Sequence, residues 1–332
     1  MNLGNRKELR GFAAQRVEQA PQQKRIILIY CALVLGTSLA VTLINFLLGL
    51  VIDRSTGLGN MGLRGTLSTF QTLLPLLQSL FVMAVDLGYL AAMLRVARGQ
   101  TATPRTLGLG FDRFWPLLRL MLLKGGLFLG IGIVTVYLAS AIFLATPLAN
   151  SAIEILLPFV AGGGATDPMS LVSSGVYAQL VVAMTPVFFI WGGLFLVIAL
   201  PVSYQYRMAE YVLIDAPRLG ALAAMRASRT MLRRRKFQLF LLDLSFWWFY
   251  GGILLASAVC YADQLLPVLG ISLPVSANAA FFLCYGLYMA AQFCLYYFCR
   301  NRVETAYALA YDAIRPRPEP QNGVVLGNIF QM

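Results

Sequence analysis

The chain has 332 residues, of which 59% are hydrophobic and only 12% are charged, whereas about a quarter of the residues of an ordinary soluble domain are charged. Long apolar runs with so few charges indicate a polytopic membrane protein. The net charge of +12 is therefore interpreted through its distribution between the two sides of a bilayer. Nucleic acid is not expected as a partner, because proteins that bind it carry their basic residues on a polar surface. The sequence contains no histidine, which excludes histidine-dependent nucleophiles and zinc sites. We therefore expect no catalytic residue, no metal and no cofactor.

Six segments are long and apolar enough to cross a membrane, which takes about 20 residues of helix. The predicted spans are 26–52, 67–95, 114–146, 176–206, 237–262 and 275–299. The first span is longer than the apolar core of a cleavable signal peptide, so it is interpreted as a membrane helix. The predicted fold class is all-α: a six-helix membrane domain over 26–311, preceded by a juxtamembrane segment, 1–25, and followed by a disordered tail, 312–332.

Lysine and arginine are distributed unevenly over the segments between these spans. Alternate segments, beginning with the N-terminal tail and including 95–113 and 207–236, hold 22 of the 26 basic residues, and the opposite set holds two. Because cytoplasmic segments carry the excess of basic residues, both termini are predicted to face the cytoplasm. The outer segment 147–175 contains an apolar stretch too short to span, which predicts an interfacial helix or a re-entrant turn.

Residues 215–236 are predicted to form an amphipathic helix along the cytoplasmic interface, with Asp215 as its N-cap and Pro217 in its first turn. Its basic residues are the candidates for contact with anionic lipid, to which each contributes about 1 kcal/mol near the surface. These residues are Arg218, Arg226, Arg229, Arg233, Arg234, Arg235 and Lys236. The alternative is that the same charges serve only to orient the fifth span.

The run 204-YQYRMAEYVLIDAPRLGALAAMRASRTMLRRRKFQLFLLDLSFWW-248 resembles a signature of a bacterial integral membrane family, domain of unknown function 975. The shared features are a tyrosine-rich helix end, a turn from aspartate to proline, a helix with alanine, serine and methionine, a basic patch and an LSF entry into the next helix. RKELR near the N-terminus and 87-LGYLAAMLRVARGQ-100 also resemble the family. The resemblance implies a multi-pass protein of the bacterial plasma membrane, related to a membrane domain that accompanies some glycerophosphodiester phosphodiesterases. It implies no reaction, because the family has no established activity.

Four charged side chains fall inside the predicted spans, in addition to Arg95 at the end of the second span. Asp86 and Lys124 lie at matching depths, about 14–15 Å from the cytoplasmic helix ends at 1.5 Å per residue, and Arg119 and Asp243 also match each other. Intramembrane charges are costly and are usually paired, so we predict the pairs Asp86–Lys124 and Arg119–Asp243, with snorkelling of Arg119 as an alternative. The pairs either fix helix packing or form a polar site for a lipid headgroup, a proton or a small ion.

Three functions are compatible with these features. The first, which we favour, is a non-enzymatic protein that binds or organises membrane lipid or other membrane proteins, with anionic lipid at the cytoplasmic face. The second is a small transporter or channel-like protein that uses the buried charges and helices broken at Pro75, Pro186 or Pro201. The third is a lipid-modifying enzyme, for which no motif is present. Gly126 and Gly130 form a GxxxG pattern, which predicts close helix approach.

Overall fold

The computed structural model describes residues 5–54, 61–161, 176–262 and 276–316. These residues form helices and turns, with no β-strand among them. The α-helices in chain order are α1 (Arg6–Gln19), α2 (Gln23–Arg54), α3 (Met61–Ala97), α4 (Leu109–Asp112), α5 (Phe114–Leu144), α6 (Leu148–Ala161), α7 (Val176–Gln205), α8 (Ala209–Asp215), α9 (Ala221–Leu232), α10 (Lys236–Leu244), α11 (Trp247–Cys260), α12 (Ala277–Leu295) and α13 (Asn301–Ile314). A 3₁₀ turn, Pro104–Gly108, precedes α4, and a π-helical turn, Tyr296–Arg300, joins α12 to α13.

Five helical segments in the described part of the chain are long and apolar enough to cross a membrane. They are Gln23–Ile52, Gly62–Ala97, Phe114–Leu144, Val182–Asp215 and Asn278–Ile314. A sixth candidate consists of α10 and α11, which are bent by 65° at the break between them. The all-helical class predicted from the sequence is thus confirmed for the described residues, with five or six candidate membrane spans. The fifth span, expected to be continuous over 237–262, is broken.

The chain divides into two compact bodies, residues 119–207 and the remainder. In the body 119–207, Ala149 and Ala152 of α6, together with Phe143 at the end of α5, pack against partly buried side chains of α7 such as Met184. The apolar stretch expected as an interfacial helix or a re-entrant turn is therefore a helix with a protein partner. The rest of the predicted outer segment, from 162 to 175, lies outside the described residues.

The core of the larger body forms around α2 and α3. Ile26, Ile27 and Tyr30 of α2 pack against Tyr89 and Met93 of α3, and all five side chains are almost fully buried. Apolar residues that recur at helical spacing place these side chains on one face of each helix, which buries that face against its neighbour.

The N-terminal helix α1 is also part of this body. Its residues Leu9, Ala13 and Val17, spaced by four, form one buried stripe. Asn5 caps the helix by accepting from the backbone N–H of Glu8, and its side-chain amide donates to the Glu8 carboxylate at 2.9 Å. This reciprocal arrangement fixes the start of α1. The predicted juxtamembrane segment is therefore a packed helix.

Two glycines of this body lie at very close backbone contacts. A methyl group added to Gly88 of α3 would overlap the carbonyl of Leu107, and one added to Gly110 would overlap the carbonyl of Ala84. Only glycine permits such an approach. At Gly126 and Gly130, by contrast, an added methyl group would meet no atom of the described residues within 4 Å. The close approach predicted for the GxxxG pattern is therefore not observed.

The helix predicted over 215–236 is shorter than expected. Asp215 is the last residue of α8, and α9 begins at Ala221 after Gly220, with no side-chain cap. Asp215 does not act as an N-cap because its carboxylate is bonded to side chains of other helices. At the other end of the chain, the last predicted span continues through α13 to Ile314. Most of the tail predicted to be disordered, from residue 317, lies outside the described residues.

Candidate functional site

Asp86, one of the predicted site residues, belongs to a cluster centred on Arg300. Nη2 of Arg300 donates to Oδ1 of Asp86 at 2.9 Å, and the Tyr30 hydroxyl donates to the same oxygen at 2.6 Å. The guanidinium carbon lies 4.5, 4.7 and 5.3 Å from the ring centroids of Tyr30, Tyr296 and Tyr89, within the range of cation–π interaction. The side chain of Arg300 is only 15% exposed. We call these five residues the Arg300 cage.

The cage lies at the π-helical turn Tyr296–Arg300. Such turns inside α-helices are rare and often occur at functional sites. The next residue, Asn301, accepts from the Tyr89 hydroxyl at 2.5 Å. Nε of Arg300 and Nδ2 of Asn301 are buried without a hydrogen-bond partner among the described residues. Because buried donors are normally satisfied, the cage and the adjoining Asn301 have more hydrogen-bonding capacity than their packing uses.

Arg300 was missed as a site residue because it directly follows the last predicted span and counts there as a cytoplasmic charge. The sequence signal that could have identified Arg300 is Asp86 itself, because an acid within a predicted span requires a cationic partner. Lys124, its predicted partner, is a half-buried residue of α5 in the body 119–207. Its pairing with Asp86 stays a prediction.

Asp243 lies in the last turn of α10, directly before the break in the fifth span. Its Oδ1 accepts from the Tyr250 hydroxyl at 3.2 Å, and that hydroxyl lies 3.1 Å from the hydroxyl of Tyr307 on α13. The carboxylate is thus joined through tyrosines to the last helix. Arg119, predicted to pair with it, is an exposed residue of α5 in the other body, and that pairing also stays a prediction.

Local hydrogen bonds account for the break after Asp243. The Ser245 hydroxyl donates to the carbonyl of Leu242 at 2.6 Å, which competes with continuation of the helix. Nη1 of Arg10, from α1, donates to the carbonyl of Ser245 at 3.3 Å, and its guanidinium lies 5.5 Å from the ring centroid of Phe246. A carbonyl released by the break therefore gains a charged donor.

A second ion-pair cluster joins three helix ends on the side predicted to be cytoplasmic. Arg98, just after α3, donates to both oxygens of Asp215 at 2.7 and 2.8 Å and to Asp312 of α13 at 2.8 Å. Arg315 and the Tyr311 hydroxyl donate to Asp215 at 2.8 and 3.0 Å. Hydrogen bonds to Asp215 and Asp312 raise the pKa of Arg98, so its guanidinium remains charged. We call these five residues the Arg98 network.

The arginines predicted to contact lipid lie in a different environment. One face of α9, including Ala224 and Leu232, is buried, and the buried Ser228 hydroxyl on this face accepts from the backbone N–H of Met208 at 3.2 Å. The arginines on and after this helix, and Arg218 before it, are exposed, and none of them has an acidic partner among the described residues. We call the set within and after α9 the basic row: Arg226, Arg229, Arg233, Arg234 and Arg235. Lys236, at the start of α10, is half-buried.

Apolar helices that satisfy their own backbone hydrogen bonds and are long enough to cross a bilayer give the described part of this chain the character of a helical membrane protein. The family model described as "Protein of unknown function (DUF975)" matches residues 1–315, so the chain belongs to that family. No curated protein and no solved structure matches the chain. The family agrees with the resemblance seen in the sequence. The relation to the membrane domain of glycerophosphodiester phosphodiesterases stays an expectation.

Proposed function

We propose that this protein is a non-enzymatic component of the bacterial plasma membrane that binds anionic lipid at its cytoplasmic face and so organises the surrounding membrane. The observation that carries the proposal is a contrast between two groups of arginines. Arg98, Arg300 and Arg315 are bonded to carboxylates and hold helices together. The basic row is exposed and has no acidic partner in the described part of the chain, so its charge is available to a ligand outside the protein.

The position of the basic row suits a bilayer surface. It ends at Arg235, and the apolar helix α10 begins at the next residue. Five cations contribute about 1 kcal/mol each near an anionic surface, an attraction that decays over a Debye length of about 8 Å at physiological salt. The face of α9 that holds Ala224 and Leu232 is already buried in the protein. This helix therefore attracts lipid headgroups through its charges and does not insert that face into the bilayer, as a free amphipathic helix does.

Lipid nanodiscs that mix phosphatidylglycerol and phosphatidylcholine test this proposal. We expect the wild-type chain to enrich phosphatidylglycerol among its bound lipids, and the variant with Arg233→Gln and Arg234→Gln to lose about half of that enrichment. The matched control removes the same charge from exposed positions of α1, by Arg6→Gln and Lys7→Gln, and retains the enrichment. An accessibility assay at the C-terminus runs in parallel. Inverted orientation with unchanged lipid enrichment in the basic-row variant would show that these arginines only set topology.

A second function, transport of a small polar solute or ion, is favoured by two observations. The span predicted over 237–262, which the structure forms as α10 and α11, is broken next to Asp243, and broken helices are found at transporter binding sites. The Arg300 cage and the adjoining Asn301 also hold buried donors without a protein partner in the described chain. Ion or solute flux in proteoliposomes that is abolished by Asp86→Asn or Asp243→Asn would establish transport. Absence of flux across a panel of monovalent ions, organic acids and amines would exclude it for those solutes.

A further inference from the structure

A cleft of about 460 Å³ lies between α9 and the end of α13. This volume falls within the range of about 300–1,000 Å³ typical of small-molecule sites. The cleft is lined by residues of α8, α9, α13 and the adjoining turns. They are Val212, Asp215, Ala216, Leu219, Ala223, Arg226, Ala227, Thr230, Met231, Tyr311, Arg315 and Pro316. All of them belong to the larger of the two bodies.

The polar part of the cleft favours an anion. Arg226 is exposed and has no acidic partner among the described residues, while Arg315 is bonded to Asp215 at 2.8 Å. Asp215, the one acid in the lining, is also bonded to Arg98 and to the Tyr311 hydroxyl. Its charge is therefore already compensated within the protein. A phosphate that enters the cleft meets two guanidinium groups, whose forked donors match phosphate oxygens.

The other part of the cleft is aliphatic. Ala223, Ala227 and Met231 are spaced by four residues, so they form one stripe along α9. Leu219 and Val212 complete this apolar surface. The two alanines leave room beside the helix that a larger side chain would fill. A free phosphate or a sugar phosphate would leave this stripe exposed to water, whereas a molecule with both an anionic head and a hydrocarbon chain covers both parts.

We infer that this cleft binds one molecule of an anionic phospholipid, with its phosphate between Arg226 and Arg315 and the start of an acyl chain along the Ala223–Met231 stripe. The inference rests on the proposed function, because it gives one lipid a defined site beside the basic row. The basic row and the cleft differ in how they recognise lipid. The basic row attracts anionic headgroups as a charged surface, whereas the cleft selects one lipid by shape and charge together.

The test uses the full chain in nanodiscs that contain a trace of photoactivatable phosphatidylglycerol or, separately, photoactivatable phosphatidylcholine. Labelled peptides are mapped by mass spectrometry. We expect phosphatidylglycerol to label the peptides that contain 219–231 and 311–316 at least about tenfold more than phosphatidylcholine. The reason is that charge-assisted hydrogen bonds between arginine and phosphate favour the lipid with a net negative charge. Arg226→Gln should reduce this labelling about fivefold or more. Arg6→Gln, which removes an exposed arginine of α1 outside both the cleft and the basic row, should leave it within about twofold.

A second pair of variants tests the shape of the site without changing its charge. Ala223→Phe fills the aliphatic part of the cleft and should lower labelling by phosphatidylglycerol to the level of phosphatidylcholine. Leu222→Phe, at a neighbouring position that is 52% exposed and outside the lining, should label like the wild type. Thermal melting of each variant in detergent verifies that it is folded.

Three results would overturn the inference. Equal labelling of the Ala223→Phe and Leu222→Phe variants would show that the cleft is not occupied by a chain. Complete displacement by millimolar glycerol phosphate would assign the site to a soluble ligand. Labelling that occurs only after removal of residues 317–332 would assign it to the protein's own tail. If the bulk enrichment of phosphatidylglycerol persists in these cases, the proposed function stands without the cleft. If the wild type shows no enrichment at all, the proposed function itself is wrong.

Discussion

Replacement of Arg300 by methionine tests whether the Arg300 cage is a main source of stability. The substitution removes the charge that bonds to Asp86 at 2.9 Å and that lies against three tyrosine rings. Methionine keeps an unbranched apolar chain, so much of the packing is retained. Arg302→Met is the matched control, because Arg302 pairs with Glu18 at 3.3 Å but is 54% exposed, and such surface pairs contribute about 0–1 kcal/mol.

The expected loss follows from the contacts. The charged hydrogen bond contributes about 1.5–3 kcal/mol, and each of the three cation–π contacts about 0.5–1 kcal/mol. With packing partly recovered by methionine, the net destabilisation is about 3 kcal/mol. This agrees with the lower end of the values found when one partner of a buried ion pair is removed. It is a large share of a total stability of about 5–15 kcal/mol.

A double-mutant cycle on the purified chain in detergent measures this coupling by thermal unfolding. Asp86→Asn retains an oxygen for the Tyr30 hydroxyl but leaves Arg300 uncompensated, so each single variant should melt about 5–10 °C below the wild type. The double variant, Asp86→Asn with Arg300→Met, should recover part of this loss, since removal of both partners leaves no unpaired charge. The same cycle with Lys124→Met tests the pairing expected from the sequence.

Two outcomes would refute this reasoning. If Arg300→Met melts within about 1 °C of the wild type, the ion pair and the cation–π contacts do not stabilise the chain as argued. If the loss in the double variant equals the sum of the two single losses, the two residues do not interact.

Three further predictions concern the same body. Asp215→Asn should destabilise the chain by about 2–3 kcal/mol, since it weakens charged hydrogen bonds of the Arg98 network, whereas the exposed Asp112→Asn should melt like the wild type. Gly88→Ala should cost about 3 kcal/mol or more in thermal unfolding because its methyl group overlaps backbone, and Gly108→Ala, which meets no described atom within 4 Å, should be tolerated. Arg10→Ala should speed amide hydrogen exchange at the break between α10 and α11, and unchanged exchange there would contradict the role given to α1.

The sequence predicted the membrane class because twenty-residue apolar runs and the distribution of basic residues are local properties of the chain. The exposed arginines of α9 were predicted for the same reason, since helical periodicity separates them from the alanines. The break after Asp243 was missed because a single serine hydroxyl gives no periodic signal, and because the donor to a carbonyl at the break, Arg10, is distant in the chain.

The partners of the charged residues were the least predictable feature. Depth within a span is readable from the sequence, but two helices at equal depth need not be neighbours. Asp86 is bonded to Arg300, in the π-helical turn between α12 and α13, and this contact depends on which helices pack together and on that turn. Asp215 was likewise interpreted as a local cap, whereas it bonds to Arg98 and Arg315 from other elements. Tertiary contacts of this kind carry no periodic signal.

The lipid that copurifies with the chain in mild detergent tests the central claim most directly. We expect the wild-type protein to retain anionic phospholipid in excess over its share of the bulk membrane. A variant with glutamine at all five arginines of the basic row, Arg226, Arg229, Arg233, Arg234 and Arg235, should retain lipid of bulk composition, because the exposed charge of the row has been removed. Bulk composition on the wild-type protein, or an equal anionic excess on both proteins, would contradict the account.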